Sequence, residues 1–90
     1  MSQICVLVRV TGQVQGVGFR FHTAHEGLKI GVSGYAKNLP DGSVEVLACG
    51  KAEKVEQLVD WLARGPRTSR VDSLSRDDLE WRAIDGFEII

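Results

Sequence analysis

Hydrophobic and polar residues alternate in short stretches of the chain. Residues 4–10 place an apolar row on one face of an extended segment and a mixed row on the other. Because side chains of a strand point alternately to its two faces, this pattern predicts a strand with one better buried face. Residues 32–38 and 43–49 are also strand-like, and the Leu-Pro-Asp-Gly sequence of residues 39–42 is typical of a tight turn. These two segments are therefore predicted to form a hairpin.

Two further segments carry apolar residues at helical spacing. In residues 21–30 such residues recur every three or four positions, which predicts a helix with Phe21, Ala24, Leu28 and Ile30 on its apolar face. Residues 51–64 show the same spacing more strongly, and a Gly-Pro pair follows them as a stop signal. The second helix is therefore the more clearly predicted of the two.

The predicted order is strand, helix, strand, strand, helix, strand, with residues 71–81 extended and residues 87–90 as a short last strand. Right-handed crossovers and the tight hairpin favour an antiparallel sheet of order 4-1-3-2 with both helices on one face. This arrangement is the ferredoxin-like α/β sandwich of the α+β class. A chain of 90 residues has room for one such core, so residues 1–90 are expected to form a single domain.

The composition is that of an ordinary soluble globular protein, with 43% hydrophobic and 26% charged residues. A net charge of -1 lacks the basic footprint of a nucleic-acid binder, so no nucleic-acid partner is expected. No apolar stretch approaches the length of a membrane span, and the first residues carry no basic leader pattern. We therefore expect a cytoplasmic protein without a membrane partner, and a monomer as the default.

The predicted topology brings the two cysteines together. The first and third strands are antiparallel neighbours, so the start of one, with Cys5, lies near the end of the other, with Cys49. Their places in the alternation put both on the face away from the helices. A disulfide between Cys5 and Cys49 is one hypothesis, although the reducing cytosol disfavours it. Two small buried thiols are the alternative.

The loop between the first strand and the first helix carries the main candidate chemistry. Residues 12–20 read Gly-Gln-Val-Gln-Gly-Val-Gly-Phe-Arg. Glycines without Cβ atoms allow successive N–H groups to turn toward one centre, and Arg20 adds a charged fork that suits a tetrahedral anion. The N–H groups and dipole of the following helix add to the same positive concavity. The segment predicts an oxyanion cradle; a glycine-rich turn with a surface arginine is the alternative.

Two familiar glycine-rich motifs do not fit this loop. A nucleotide P-loop requires lysine and then a hydroxyl residue after its last glycine, whereas Gly18 is followed by Phe19 and Arg20. The dinucleotide motif requires a third glycine where this chain has Phe21. The loop therefore lacks the residues that an NTPase or a dinucleotide-binding enzyme requires. The prediction of an oxyanion cradle does not depend on either motif.

Asn38 is a second candidate because the first two strands run parallel in the predicted sheet. Their carboxyl ends reach the same edge, so Asn38 is expected near the cradle. A neutral amide can hold a water molecule beside a bound phosphate, because the amide does not repel the phosphate anion. A simple turn residue before the hairpin is the alternative reading of Asn38.

Residues 12–20 and residues 34–45, Gly-Tyr-Ala-Lys-Asn-Leu-Pro-Asp-Gly-Ser-Val-Glu, together resemble the two signatures of the acylphosphatase family. The similarity extends over nearly the whole chain. It implies an enzyme that hydrolyses carboxyl-phosphate anhydrides without a metal or other cofactor. The family's phosphate-binding arginine corresponds to Arg20, its water-orienting asparagine to Asn38 and its supporting hydroxyl to Ser43. The resemblance also implies a cradle formed by the amides of Gln15, Gly16, Val17, Gly18, Phe19 and Arg20.

The hydrolysis of an acyl phosphate requires few functional groups from the protein. Its leaving group is a carboxylate whose conjugate acid has a pKa of about 4, so departure needs no strong general acid. We expect direct in-line attack by a water molecule held by Asn38, with inorganic phosphate as a product inhibitor. Two other readings stay open: a non-catalytic anion- or RNA-binding module, and a carbamoyl-phosphate-handling domain like that of hydrogenase-maturation proteins.

Overall fold

In residues 2–90, which the computed structural model describes, two helices pack on one face of a five-stranded sheet. The elements, in chain order, are β1 (Gln3–Gln13), α1 (Phe19–Ile30), β2 (Ser33–Asn38), β3 (Val44–Lys51), α2 (Ala52–Arg64), β4 (Arg70–Leu79) and β5 (Phe87–Ile89). The strand order is β4-β1-β3-β2-β5. The predicted ferredoxin-like order 4-1-3-2 is therefore confirmed, and the sheet gains β5 beside β2, in parallel pairing.

The core lies between the helices and one face of the sheet. The alternate valines of β1, from Val6 to Val10, and those of β3 are completely buried there. α2 buries a stripe at helical spacing, formed by Val55, Leu58, Val59 and Leu62. Full burial of such an aliphatic side chain contributes about 2 kcal/mol, so this stripe holds α2 firmly on the sheet. Within the described residues, neither helix is long and apolar enough to cross a membrane.

The predicted apolar face of α1 is confirmed at Ala24 and wrong at Phe21 and Leu28. The helix begins at Phe19, two residues before the predicted start, and Phe21 and Leu28 are 62% and 59% exposed. The buried side is formed instead by Phe19, Thr23, Ala24 and Gly27. The Phe19 ring packs near Trp61 of α2, with 6.3 Å between the ring centroids. Burial of this large ring at the first helical position fixes the rotation of α1 about its axis, which turns Phe21 outward.

β5 packs closely against α1 through a glycine. A Cβ atom at Gly27 would lie 2.6 Å from two carbon atoms of the Phe87 ring. The small residue therefore lets that ring approach the helix backbone. Glycine within a helix costs about 1 kcal/mol relative to alanine, and at Gly27 this cost accompanies the close contact with Phe87.

Residues 80–86, which we call the strap, connect β4 at one edge of the sheet to β5 at the other. The strap crosses the face opposite the helices, where Ile84 packs against a small cluster of Cys5, Leu47 and Cys49. All three residues of the cluster are 1% exposed. The prediction that the cysteines share the face away from the helices is thereby confirmed, and the strap explains how that face is covered.

Candidate active site

The cradle loop, residues 14–18, joins β1 to α1 through left-handed backbone at two glycines. Gly16 has φ 75° and Gly18 has φ 77°, values that side chains with a Cβ atom rarely adopt. Gly18 is the N-cap of α1 and provides no side chain to cap the helix. The local sequence therefore produces a tight turn that ends directly at a helix N-terminus.

The first turn of α1 is suited to bind an anion. The first four N–H groups of a helix have no intrahelical acceptor, and the helix dipole places partial positive charge there. α1 has no acidic residue in its first turn. No carboxylate of that turn therefore competes with an anion for these donors, which is the arrangement by which helix N-termini bind phosphate.

Arg20 lies in this first turn and is half-buried. Its Nη1 donates a hydrogen bond of 2.8 Å to the main-chain oxygen of Ile90, directly after β5. β5 is held in turn by β2, since Ile90 N–H donates to the Ala36 carbonyl at 2.9 Å. The contact engages one of the five guanidinium donors and ties the side chain to the end of the sheet.

Asn38 ends β2 on the helix-bearing side of the sheet. It stands directly opposite Val44 of β3, and Val44 stands opposite Val10 of β1. Directly opposed residues share a face, and both valines belong to the core beneath the helices. Asn38 Oδ1 is buried, and no hydrogen-bond donor within residues 2–90 reaches it. Buried acceptors are nearly always hydrogen-bonded, so this oxygen is suited to accept a bond from a water molecule or a ligand.

The cradle loop and the hairpin that carries Asn38 are in direct contact. Gln15 Nε2 donates to the main-chain oxygens of Leu39, at 2.9 Å, and of Ser43, at 2.8 Å. On the other side of the loop, Thr68 Oγ1 donates to the Val17 carbonyl at 3.0 Å. The structure therefore brings the predicted cradle to the residue next to Asn38. Sequence reasoning missed both side-chain contacts, because their acceptors are main-chain oxygens distant in sequence.

Ser43 is 3% exposed and lies at the centre of a polar network in the hairpin. Its Oγ donates to Asp41 Oδ1 at 2.5 Å and accepts a bond of 3.3 Å from Arg9 Nε. Its N–H also donates to Asp41 Oδ1, at 2.9 Å, and Asp41 forms an ion pair with Arg9. The Ser43 side chain therefore closes the turn, while its main-chain oxygen accepts the bond from Gln15 of the cradle loop. The Asp-Gly-Ser spacing is a recognisable signal for such a side-chain-closed turn.

The bonds donated by the Ser43 hydroxyl and N–H, and then Arg9, hold the pKa of Asp41 below its usual value of 3.8. A carboxyl whose pKa is depressed on folding contributes stability that is present above its unfolded pKa and lost as pH falls through the folded pKa. We therefore expect Asp41→Asn to make the free energy of unfolding less dependent on pH below about pH 4. Urea unfolding between pH 3 and 6, with the exposed α2 variant Asp60→Asn as control, measures this. Equal pH dependence in both variants and the wild type would contradict it.

Cys5 and Cys49 face each other in the β1–β3 register, and their side chains are joined through the two sulfur atoms. We propose a disulfide between them in the oxidised protein, sheltered by the strap. With a sequence separation of 44, the loop-entropy model gives a stabilisation of about 4 kcal/mol. Thiol counting on protein denatured without reductant should find none, and reductant should lower the melting temperature. Two free thiols per chain would refute the bond.

The fold and the site together define a small α+β protein with an oxyanion-type loop beside an unpaired amide oxygen. Comparison with known proteins identifies the family within this class. The acylphosphatase family model matches residues 6–89. The acylphosphatase of Photobacterium profundum is 68% identical over 89 residues, 99% of each chain. The chain therefore belongs to the acylphosphatase family, which confirms the resemblance drawn from the two motifs and the expectation of a hydrolase.

Solved structures agree with this assignment. An acylphosphatase from Coxiella burnetii aligns with a TM-score of 0.93 at 31% identity, covering 98% of this chain and 93% of that one. The acylphosphatase from Bacillus subtilis aligns with a TM-score of 0.92 at 32% identity, covering 97% and 98%. The similarity thus includes the cradle loop, the hairpin and both helices.

Proposed function

We propose that the chain hydrolyses the carboxyl-phosphate bond of small acyl phosphates to a carboxylate and inorganic phosphate. The observation that carries the mechanism is the buried Oδ1 of Asn38, which no donor of residues 2–90 reaches and which lies beside a loop suited to bind an oxyanion. The family membership supports the reaction, and the arrangement of Arg20, the loop amides and Asn38 supports the way in which it proceeds.

The phosphoryl group is held by the N–H groups of residues 15–20 and by Arg20. In phosphoryl transfer the negative charge lies on three equatorial oxygens of a loose transition state. Donors fixed before the reaction stabilise that charge without having to reorganise, which is usually the largest contribution to catalysis. Arg20 is already tied to Ile90, so little side-chain freedom is lost when substrate binds.

Asn38 positions the attacking water. Its Oδ1 accepts a hydrogen bond from the water, which turns a lone pair of the water oxygen toward phosphorus. The new bond joins the water oxygen to phosphorus, and the bond from phosphorus to the acyl oxygen breaks with its electron pair passing to the carboxylate. A phosphoryl oxygen of the substrate accepts the water proton. The step needs neither a protein nucleophile nor a general acid, because the carboxylate is a good leaving group.

The proposal extends to the partners of the site. Inorganic phosphate retains the tetrahedral oxygens that the cradle binds, so it acts as a competitive product inhibitor. Arg20, the cradle loop and Asn38 come from one chain, which agrees with activity as a monomer. We also propose that residues 1–90 act as a single domain and that the protein functions in the cytoplasm without a cofactor.

Phosphate release from benzoyl phosphate by the purified protein in excess chelator tests this function. We expect catalytic release that the chelator does not reduce and that inorganic phosphate inhibits competitively. Loss of the activity in chelator would contradict the cofactor-free mechanism. Absence of hydrolysis in any buffer would leave the cradle as an anion-binding site and overturn the proposed reaction.

A further inference from the structure

The Gln15 side chain uses both of its donors on the hairpin. A side-chain amide carries two N–H groups, and Nε2 donates to the oxygens of Leu39 and Ser43 at 2.9 and 2.8 Å. Gln15 is half-buried, and its own main chain is part of the cradle loop. One residue therefore contributes its backbone to the predicted phosphate site and its side chain to the hairpin.

The same two oxygens close the turn of the hairpin. Leu39 N–H donates to the Ser43 oxygen at 2.9 Å, and Gly42 N–H donates to the Leu39 oxygen at 3.1 Å. A main-chain carbonyl has two lone pairs, so each oxygen accepts one bond from the turn and one from Gln15. The side chain is thus bound to a turn that is already closed. Two attachment points fix both the distance and the rotation of the turn relative to the cradle.

Asn38 directly precedes Leu39, one of the two residues that Gln15 binds. Any shift of the Leu39 carbonyl relative to the cradle therefore moves the Asn38 amide as well. We infer that Gln15 is a positioning residue, which holds Asn38 at the place where its water stands in line with the phosphoryl group. This inference rests on the proposed function, since it assigns Gln15 a role that acts through Asn38.

Positioning predicts a particular division of the kinetic effects. In-line attack depends steeply on geometry, and a displacement of about 1 Å can cost about 10²-fold in rate. Binding of the phosphoryl group depends on the loop N–H groups and Arg20, which the Gln15 side chain does not contact. Loss of the side-chain amide should therefore lower kcat and leave the affinity for inorganic phosphate nearly unchanged.

The test replaces Gln15 with methionine, which has similar length and no donor. We expect Gln15→Met to lower kcat for benzoyl phosphate by about tenfold and to change the inhibition constant of phosphate by less than about twofold. Gln57→Met, at an exposed glutamine of α2, is the matched control and should behave as wild type. An unchanged kcat in Gln15→Met, or an equal loss of phosphate affinity, would overturn the inference.

A double-mutant cycle separates positioning from an independent contribution. If Gln15 acts through Asn38, Gln15→Met should have no further effect on kcat in an Asn38→Ala background. The same decrease in both backgrounds would refute the positioning role. The cycle also identifies a different failure, because wild-type kcat in Asn38→Ala alone would contradict the proposed mechanism rather than the contact of Gln15 with the turn.

The NMR signals of Asn38 provide a readout that does not depend on activity. Asn38 is the sole asparagine in the sequence, so selective ¹⁵N-asparagine labelling gives one backbone N–H and one side-chain amide in the NMR spectrum. We expect the Asn38 signals to move in Gln15→Met and to stay in place in Gln57→Met. Unchanged Asn38 signals in Gln15→Met would overturn the inference even if kcat decreases.

Discussion

Arg20→Ala is expected to lower kcat/KM for benzoyl phosphate by about 10²-fold or more, which corresponds to a loss of about 3 kcal/mol or more of transition-state stabilisation. In the proposed mechanism the Arg20 guanidinium neutralises the phosphoryl oxygens, which carry charge in both the bound substrate and the transition state. Substrate binding and the chemical step should therefore both weaken. Steady-state kinetics, with inorganic phosphate as a competitive inhibitor, separates the two effects. The exposed α2 variant Arg64→Ala is the control and should retain wild-type kinetics.

Arg20→Lys distinguishes the shape of the cation from its charge. Lysine keeps a positive charge and can donate one bond to Ile90, but it lacks the planar fork that contacts two oxygens at once. We expect it to recover phosphate binding in part and kcat to a smaller extent. Near-normal turnover in Arg20→Ala would contradict the cradle model. Full recovery by lysine would show that charge alone is sufficient.

Asn38→Ala is expected to lower kcat by about 10²-fold and to leave the inhibition constant of phosphate within about twofold of wild type. The water loses the acceptor that orients it, whereas the donors that bind the phosphoryl group are unchanged. Gln57→Ala, at an exposed amide on α2, is the control. A large loss of phosphate affinity would contradict the water-holding role and make Asn38 an anion ligand.

The same variant separates function from stability. A buried oxygen without a protein donor costs free energy in the folded state, so a residue kept for stability would have a partner. Asn38→Ala should therefore melt at the wild-type temperature or above it while losing turnover. A melting temperature well below that of the wild type would show that Asn38 supports the fold, and its effect on kcat would then need no catalytic explanation.

Right-handed crossovers and the tight hairpin were sufficient to predict the order of the first four strands. Strand alternation in β1 and β3 then placed both cysteines on the face away from the helices, because strand periodicity assigns each side chain to a face. The same reasoning was wrong for α1. Apolar residues occur on more than one side of this short helix, and the buried Phe19 rather than the local spacing decides which side faces the core. The pairing of β5 with β2 depends on the path of the strap. The residues of β5 alone therefore do not indicate its place in the sheet.

In the candidate site, too, the features formed by neighbouring residues were predictable from the sequence, whereas contacts between distant residues were not. Arg20 and the glycines of the cradle loop could be proposed as phosphate ligands from the sequence because the loop and the helix N-terminus are formed by adjacent residues. Asn38 required the topology, since parallel strands bring it to the edge where the loop lies. The side-chain role of Gln15 was missed because its two acceptors are main-chain oxygens 24 and 28 residues away, which no pattern of residue types can indicate.

The central claim is that the oxygen of water is transferred to phosphorus while the bond between phosphorus and the acyl oxygen breaks. It is tested most directly by hydrolysis of benzoyl phosphate in ¹⁸O-labelled water with excess chelator, with mass spectrometry of both products. The account predicts fast turnover that places one labelled oxygen in each phosphate and none in benzoate. Label in benzoate would show attack at the carbonyl carbon and contradict the mechanism, as would turnover no faster than in buffer without protein.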